Sequence, residues 1–193
     1  GMYQARFAYL DNSSHRGIPI NDVAPVAPEI LGDLGYTNAM IGKWHIEQDA
    51  VKMAATIAAN ETNVLPWHRG FDYVYAMDGG ACHYHPYSTG GMNWLTSRGY
   101  EYRNLEVMEG TSTVNYLDLP EDTYQTTEFT ERAIQFIGRN KTSPFFVYLS
   151  YNAPHTPLTP TDAEKAANTH IADSGRQNLA AAMTGVDREV GRL

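Results

Sequence analysis

Two histidines and a lysine stand where side chains could handle an anion. Lys43 and His45 lie two residues apart in Gly42-Lys43-Trp44-His45, directly after a short apolar run, and share one face if the extended conformation continues. His155 lies in Asn152-Ala153-Pro154-His155-Thr156-Pro157, again directly after an apolar run, with two prolines restricting the backbone around it. A cation and two imidazoles suit the binding of an anionic group and the movement of a proton to or from it. A Lys or His after a strand is, taken alone, more often a solvated loop residue. Two such segments together make a shared site the better reading.

A third concentration is Cys82-His83-Tyr84-His85, with His68 nearby in sequence. Imidazole and thiolate are metal ligands. Two histidines one residue apart nevertheless need a fixed strand and an acidic or orienting partner, and the sequence shows neither. A loop lining a polar cleft is expected there, and no metal ligands are assigned. Trp44, Trp67 and Trp94 are expected to pack.

The elements that must position these residues follow α/β grammar. Pro28 to Tyr36 predicts a short helix with Pro at its start, Ile30, Leu31 and Leu34 on one face, and Gly35 at a left-handed cap. Thr37 to Gly42 predicts a buried strand that runs straight into Lys43. Glu121 to Arg139 predicts an amphipathic helix with Phe129, Ala133, Phe136 and Ile137 as its stripe. Phe145 to Tyr151 is apolar on both faces, as central parallel strands are. A closing helix over Arg176 to Leu193 carries Leu179, Met183, Val186, Val190 and Leu193 at helical spacing. Residues 47 to 120 read as loops, with Phe71 to Met77 a short strand candidate. In open α/β sheets ligands bind outside the carboxyl ends of strands, which is where both Lys43 and His155 fall. Two strands alone leave their outer edges without partners, so self-association into a homo-oligomer through exposed sheet edges is expected.

Composition narrows the function classes. The 193 residues carry 14 Lys+Arg against 22 Asp+Glu, a formal charge of −8, so the mean field repels nucleic acid and anionic lipid headgroups. Neither nucleic acid nor membrane is an expected partner. At 42% hydrophobic and 19% charged the chain is not a disordered one. The lone Cys82 excludes an intrachain disulfide framework. No apolar run approaches the roughly 20 residues of a membrane span. Gly1 before Met2 reads as a tag remnant, no secretory signal is visible, and the sequence assigns no compartment.

With these residues in view, the chain resembles a sulfatase of the formylglycine-dependent, arylsulfatase-like branch of the alkaline phosphatase superfamily. Gly35 to His45 is similar to the family's helix, Gly-Tyr, strand and Gly-Lys-Trp-His signature. Arg69-Gly70-Phe71-Asp72 resembles its Gly-Phe-Asp segment, and Pro144 to Pro157 its Pro-Phe-Phe strand and Pro-His-x-Pro loop. Ala180 to Leu193 looks like the helix before the family's last metal-binding strand. The resemblance implies part of an alkaline-phosphatase-like doubly wound α/β sheet with flanking helices, residues 1–193 being a partial sulfatase catalytic domain. It implies a sulfuric ester hydrolase acting on a small sulfate ester or a sulfated glycan. Lys43 would then contact sulfate and nucleophile, His45 would hydrogen-bond the nucleophile's second hydroxyl, and His155 would assist the leaving oxygen as a general acid.

The departures also carry expectations. The family's nucleophile motif, Cys/Ser-x-Pro-Ser-Arg, would fall near Met2 to Arg6, where at most Arg6 is kept. The aspartate pair and the Asp-Asn that would hold Ca²⁺ or Mg²⁺ have no counterpart. The chain therefore reads as an internal segment whose full-length parent uses formylglycine and Ca²⁺ or Mg²⁺, while these 193 residues hold neither and are inactive. A phosphatase or phosphonate ester hydrolase of the same superfamily, or a non-catalytic binding module, are the alternatives.

Overall fold

The computed structural model describes residues 25–44, 66–77, 83–85, 107–109, 120 and 122–193, with residues 107–109 described through their backbone alone. His45, Cys82 and Trp94 lie outside the described residues. Helix α1 (Ala27–Asp33) begins where the Glu29 carboxylate accepts the Val26 N–H at 2.9 Å, and Gly35 (φ +83°) turns the chain into strand β1. Strand β1 (Thr37–Lys43) is buried from Asn38 to Gly42. It runs parallel both to β2 (Tyr73–Met77) and to β4 (Phe145–Ser150), and β3 (Val107–Glu109) adds antiparallel to the far side of β2. The order is β3-β2-β1-β4.

Both faces of β1 are buried because alternate side chains feed two different clusters. Ala39 and Ile41 join Tyr75 and Met77 of β2 against Phe129, Ala133 and Phe136 of helix α2 (Gln125–Asn140). Met40 joins Trp44, Phe71, Val74 and Ala76 on the other face, with Trp67 and Phe146 packed alongside. Trp44 and Trp67 thus pack as their type suggests. The α2 face is bound by polar contacts as well: Tyr75 donates its hydroxyl to Glu128 Oε1 at 2.7 Å, and Arg132, paired with that carboxylate, lies 4.2 Å over the Tyr75 ring.

The start of β1 is tied down by Asn38. Its side-chain amide donates to the Pro28 and Gly70 carbonyls at 2.8 and 2.9 Å, while its backbone exchanges hydrogen bonds with Asp72. Gly70 (φ +83°) comes so close to α1 that a Cβ there would meet Glu29 N at 2.6 Å. The segment Arg69 to Asp72 is therefore a clasp between α1 and β1, completed by Arg69 Nε at 3.3 Å from Glu29 Oε1.

Three expectations are corrected. Within residues 47 to 120 the strand candidate Phe71 to Met77 is found as β2, alternating into both core clusters, and β3 is a second strand where loops are expected. Strand β4 is half-exposed, with Tyr148 46% exposed, since among the described residues only β1 pairs with it. Of the apolar stripe expected on the closing helix α4 (Ser174–Val190), Val186 packs on the core, but Leu179, Met183 and Val190 are exposed, and Ala181, Ala182, Gly185 and Glu189 face inward. The apolar face of α1 is likewise outward, with Ile30 and Leu34 exposed.

Small residues let α4 approach closely, and carboxylates fasten it. Buried Glu164 of helix α3 (Asp162–Ala166) accepts the Tyr124 hydroxyl at 3.0 Å and lies 3.1 Å from Arg188 Nη2. Buried Glu189 accepts from Thr127 at the start of α2 and from Arg188 and Arg192, while Arg192 also pairs with Glu131 of α2.

Two outcomes follow. Gly42 has φ +103°, and a Cβ there would meet the Ser150 carbonyl oxygen at 2.0 Å. Gly42→Ala is expected to lower the unfolding free energy in urea by about 3 kcal/mol or more, from the strained φ and the parted strands together. For Glu189, burial works to raise the carboxyl, but hydrogen bonds from Arg192, Thr127 and Arg188 outweigh it and hold the group below its ordinary value. A depressed carboxyl stabilises above its unfolded pKa, and that stability is lost as pH falls through the folded one. Stability should therefore fall more steeply on acidification below about pH 4.5 in the native protein than in Glu189→Gln, read by urea unfolding across pH.

Candidate functional site

Parallel pairing sets the site. The β1–β4 register places Gly42 opposite Ser150, so Lys43 and Tyr151 leave the sheet side by side at its carboxyl edge. Lys43 is the last residue of β1, opposite Met77 of β2 and half-buried. The chain holds to the sheet one residue further, the Trp44 N–H reaching the Met77 carbonyl at 3.0 Å. His45, next but one after Lys43, is outside the described residues.

Beyond β4 the loop is built to present His155. Tyr151 hydrogen-bonds Thr130 of α2 through the two hydroxyls at 2.7 Å, Asn152 is buried, and the Asn152 carbonyl accepts the His155 N–H at 2.9 Å. The Ala153-Pro154 and Thr156-Pro157 bonds are both cis. The His155 ring is exposed, and its Nδ1 sits 2.7 Å from the Thr156 carbonyl oxygen. A carbonyl only accepts, so Nδ1 carries a hydrogen and Nε2 is the nitrogen presented for chemistry. In the neutral ring Nε2 accepts a proton. Once protonated it can give that proton to a departing oxygen.

The residue that braces this loop is Tyr84, which the sequence marks only as a neighbour of histidines. It is fully buried, and it is held at three points. Its hydroxyl donates to the His155 carbonyl at 2.8 Å, its N–H donates to Thr159 Oγ1 at 2.9 Å, and its carbonyl accepts the Gln125 N–H at the start of α2. Burial, with Glu164 nearby, pushes the Tyr84 hydroxyl far above its ordinary value, so the donor to His155 stays protonated. Its ring meets Tyr124 edge-on, within a cluster that includes Ala153 and Ala182. No spacing rule would have singled out Tyr84, since its bonds span 41 to 75 residues of sequence.

The flanking His83 and His85 are not brought to Lys43 by any contact described. They line a pocket with residues 158–162, Lys165 and Asn178, in which apolar Leu158 and Pro160 stand beside the polar groups. His68 belongs to a 3₁₀ turn beside Trp67 and does not line that pocket. Among the described residues no three His, Cys, Asp or Glu side chains come together as a metal site.

The comparisons with known proteins agree with this architecture. The family model described as Sulfatase matches residues 1–193. The uncharacterized sulfatase YdeN of Escherichia coli (strain K12) is 28% identical, over 100% of this chain and 33% of its own length. N-acetylgalactosamine-6-sulfatase of Mus musculus is 26% identical, over 98% and 32%. The solved structure of Ps i-CgsB superposes with a TM-score of 0.69 at 26% identity, covering 93% of this chain and 37% of that one, and the same protein is solved with k-i-k-neocarrahexaose. The chain spans about a third of the length of the curated relatives it matches. Its mixed sheet and helices have the alkaline-phosphatase-like fold of its structural neighbours. With a family model matched from first residue to last, the chain belongs to the sulfatase family.

Proposed function

We propose that residues 1–193 are part of the catalytic domain of a sulfuric ester hydrolase, and that Lys43, His45 and His155 are its sulfate-handling side chains. The observation that carries the reading is the parallel register of Gly42 with Ser150, which sends the Lys43 and His155 segments out of one sheet edge in a chain of this family. Lys43 supplies a fixed positive charge for the sulfate oxygens. His155, its Nδ1 occupied by the Thr156 carbonyl, turns Nε2 toward proton transfer at the ester oxygen. His45, outside the described residues, would hydrogen-bond the group that attacks sulfur. A sulfated saccharide is the proposed substrate, supported by relatives named N-acetylgalactosamine-6-sulfatase and by a neighbour solved with k-i-k-neocarrahexaose.

The sulfatase family usually uses a metal ion and formylglycine. The described residues do not fit a metal ion, and the sequence does not fit formylglycine. The Cys/Ser-x-Pro-Ser-Arg motif does not occur in the sequence, and the described residues contain no cluster of three metal-ligating side chains. The 193 residues by themselves are proposed to bind sulfate without turning an ester over.

Isothermal titration with sodium sulfate and a p-nitrophenyl sulfate assay test both halves. Binding in the millimolar range is expected, weakened about fivefold or more in Lys43→Ala, with no release of p-nitrophenol. Absence of sulfate binding would overturn the assignment of the site. Turnover that disappears in Lys43→Ala would overturn the binding-only reading.

A further inference from the structure

The pocket beside Tyr84 has a volume of about 430 Å³ and opens between the His83–His85 segment and the chain leading into α3, with Asn178 of α4 on its wall. Small-molecule sites commonly occupy about 300–1,000 Å³. Its polar groups are mixed in kind and balanced in charge. His83 Nδ1 accepts the His85 N–H at 3.2 Å, so the neutral His83 ring carries its hydrogen on Nε2. The Thr159 and Thr161 hydroxyl oxygens accept backbone N–H groups of Tyr84 and Glu164, which leaves each hydroxyl its own hydrogen to donate. Lys165 lies 3.4 Å from Asp162, and their charges offset.

The histidines add no charge near neutral pH. Burial holds both below the ordinary imidazole value. Repulsion from His85 adds to this for His83, and for His85 the pull of Glu164 and Asp122 is outweighed by burial together with Lys165. The His85 ring is stacked on Tyr124 with centroids 4.9 Å apart. Leu158, packed on the Tyr84 cluster, supplies apolar wall together with Pro160.

An anion would call for net positive charge, and a metal for three ligands. Donors and acceptors of both kinds beside an apolar wall instead complement a sugar ring, whose hydroxyls bond both ways and whose C–H face is apolar. We propose that this pocket binds an uncharged glycosyl unit, with Asn178 and the two threonines meeting its hydroxyls and the imidazoles of His83 and His85 lining its wall. Tyr84 joins the pocket to the His155 loop, bonding Thr159 on one side and the His155 carbonyl on the other. As a saccharide site the pocket stands on its own lining. Only as the seat of a neighbouring unit in a sulfated glycan does it rest on the function proposed above.

The test is histidine-detected NMR on the whole chain, titrated with two unsulfated disaccharides, lactose and N,N′-diacetylchitobiose. At least one should shift the His83 and His85 ring signals with a Kd of about 1–10 mM and leave exposed His170 unmoved. Affinity should hold within about twofold from pH 6.5 to 8 and from about 0.05 to 0.5 M NaCl. His85→Ala and Asn178→Trp, the latter filling the pocket from a half-buried helix position, should each weaken binding about tenfold or more. No shift with either disaccharide overturns the proposal. So does an affinity that climbs on acidification and collapses in salt, which would mark an anion site. Sulfate binding at Lys43 is a separate measurement: its loss with disaccharide binding intact removes the sulfatase reading and keeps the pocket.

Discussion

Among the described glycines, the tightest constraint is the approach of β1 to β4 at Gly42. A Cβ at that position would stand 2.0 Å from the Ser150 carbonyl oxygen, well inside any real contact, and the φ of +103° is one that only glycine adopts at little cost. The two strands can therefore close at their carboxyl ends only through this residue. Everything proposed for the anion site lies immediately after that point, Lys43 one residue on from Gly42 and Tyr151 one residue on from Ser150. Burying Ile41 or Met40 fully contributes about 1.5–3 kcal/mol each and fixes β1 between two layers. Those contacts tolerate small adjustments of position, whereas the backbone contact at Gly42 does not. The core holds the strand, and the glycine decides where its end points.

The rest of the frame transmits rigidity to the same edge from the other side. Tyr84 links three segments, and its neighbour Tyr124 hands a hydrogen bond to Glu164, which pairs in turn with Arg188 of α4. Buried carboxylates are costly unless satisfied. Glu164 and Glu189 are each met by several partners, including the backbone N–H of Thr161, so they act as joints between helices that present few large apolar side chains to one another. Gly185 has to be small for the same reason, since a Cβ there would meet Glu164 Oε1 at 2.3 Å. That polar cementing explains why α4 can leave Leu179 and Met183 outside.

How far the sequence could be read follows from which interactions are local. Helix α1, strand β1 and helix α2 were legible because each has a local period or a glycine stop: Gly35 ends α1, Ala39 to Gly42 is uniformly apolar or small, and Phe129, Ala133 and Phe136 fall on one face of α2. Gly-Lys-Trp-His and Pro-His-Thr-Pro were legible as segments at strand ends. What misled was the assumption that apolar spacing names the buried face. In α4 the stripe of Leu179, Met183 and Val190 has the right period and the wrong side, because Ala181, Ala182 and Gly185 give a closer approach that carboxylates elsewhere complete. Tyr84 was illegible for a different reason: its value comes from hydrogen bonds to residues 125, 155 and 159, and nothing local distinguishes it from a packing tyrosine. Arg69 to Asp72 matched a family segment, yet its role is architectural, since Asp72 and Gly70 serve Asn38 and α1.

Charge separates the two sites. The chain carries −8 overall, so a sulfate approaching the edge beyond Gly42 meets an unfavourable mean field that Lys43 must offset locally. Within about 8–10 Å at physiological ionic strength the local cation governs, and beyond that the field is screened. The pocket beside His83 and His85 is arranged on the opposite principle. Its imidazoles are kept neutral by burial and its lysine is matched by an aspartate, so it offers an anion little and a hydroxylated ligand much. A molecule carrying both kinds of group, one charged ester and a neutral ring beside it, could satisfy the two regions at once. The Tyr84 hydrogen bonds to Thr159 and to His155 couple their positions, so a shift of the 152–160 loop that reorients His155 also moves the pocket wall.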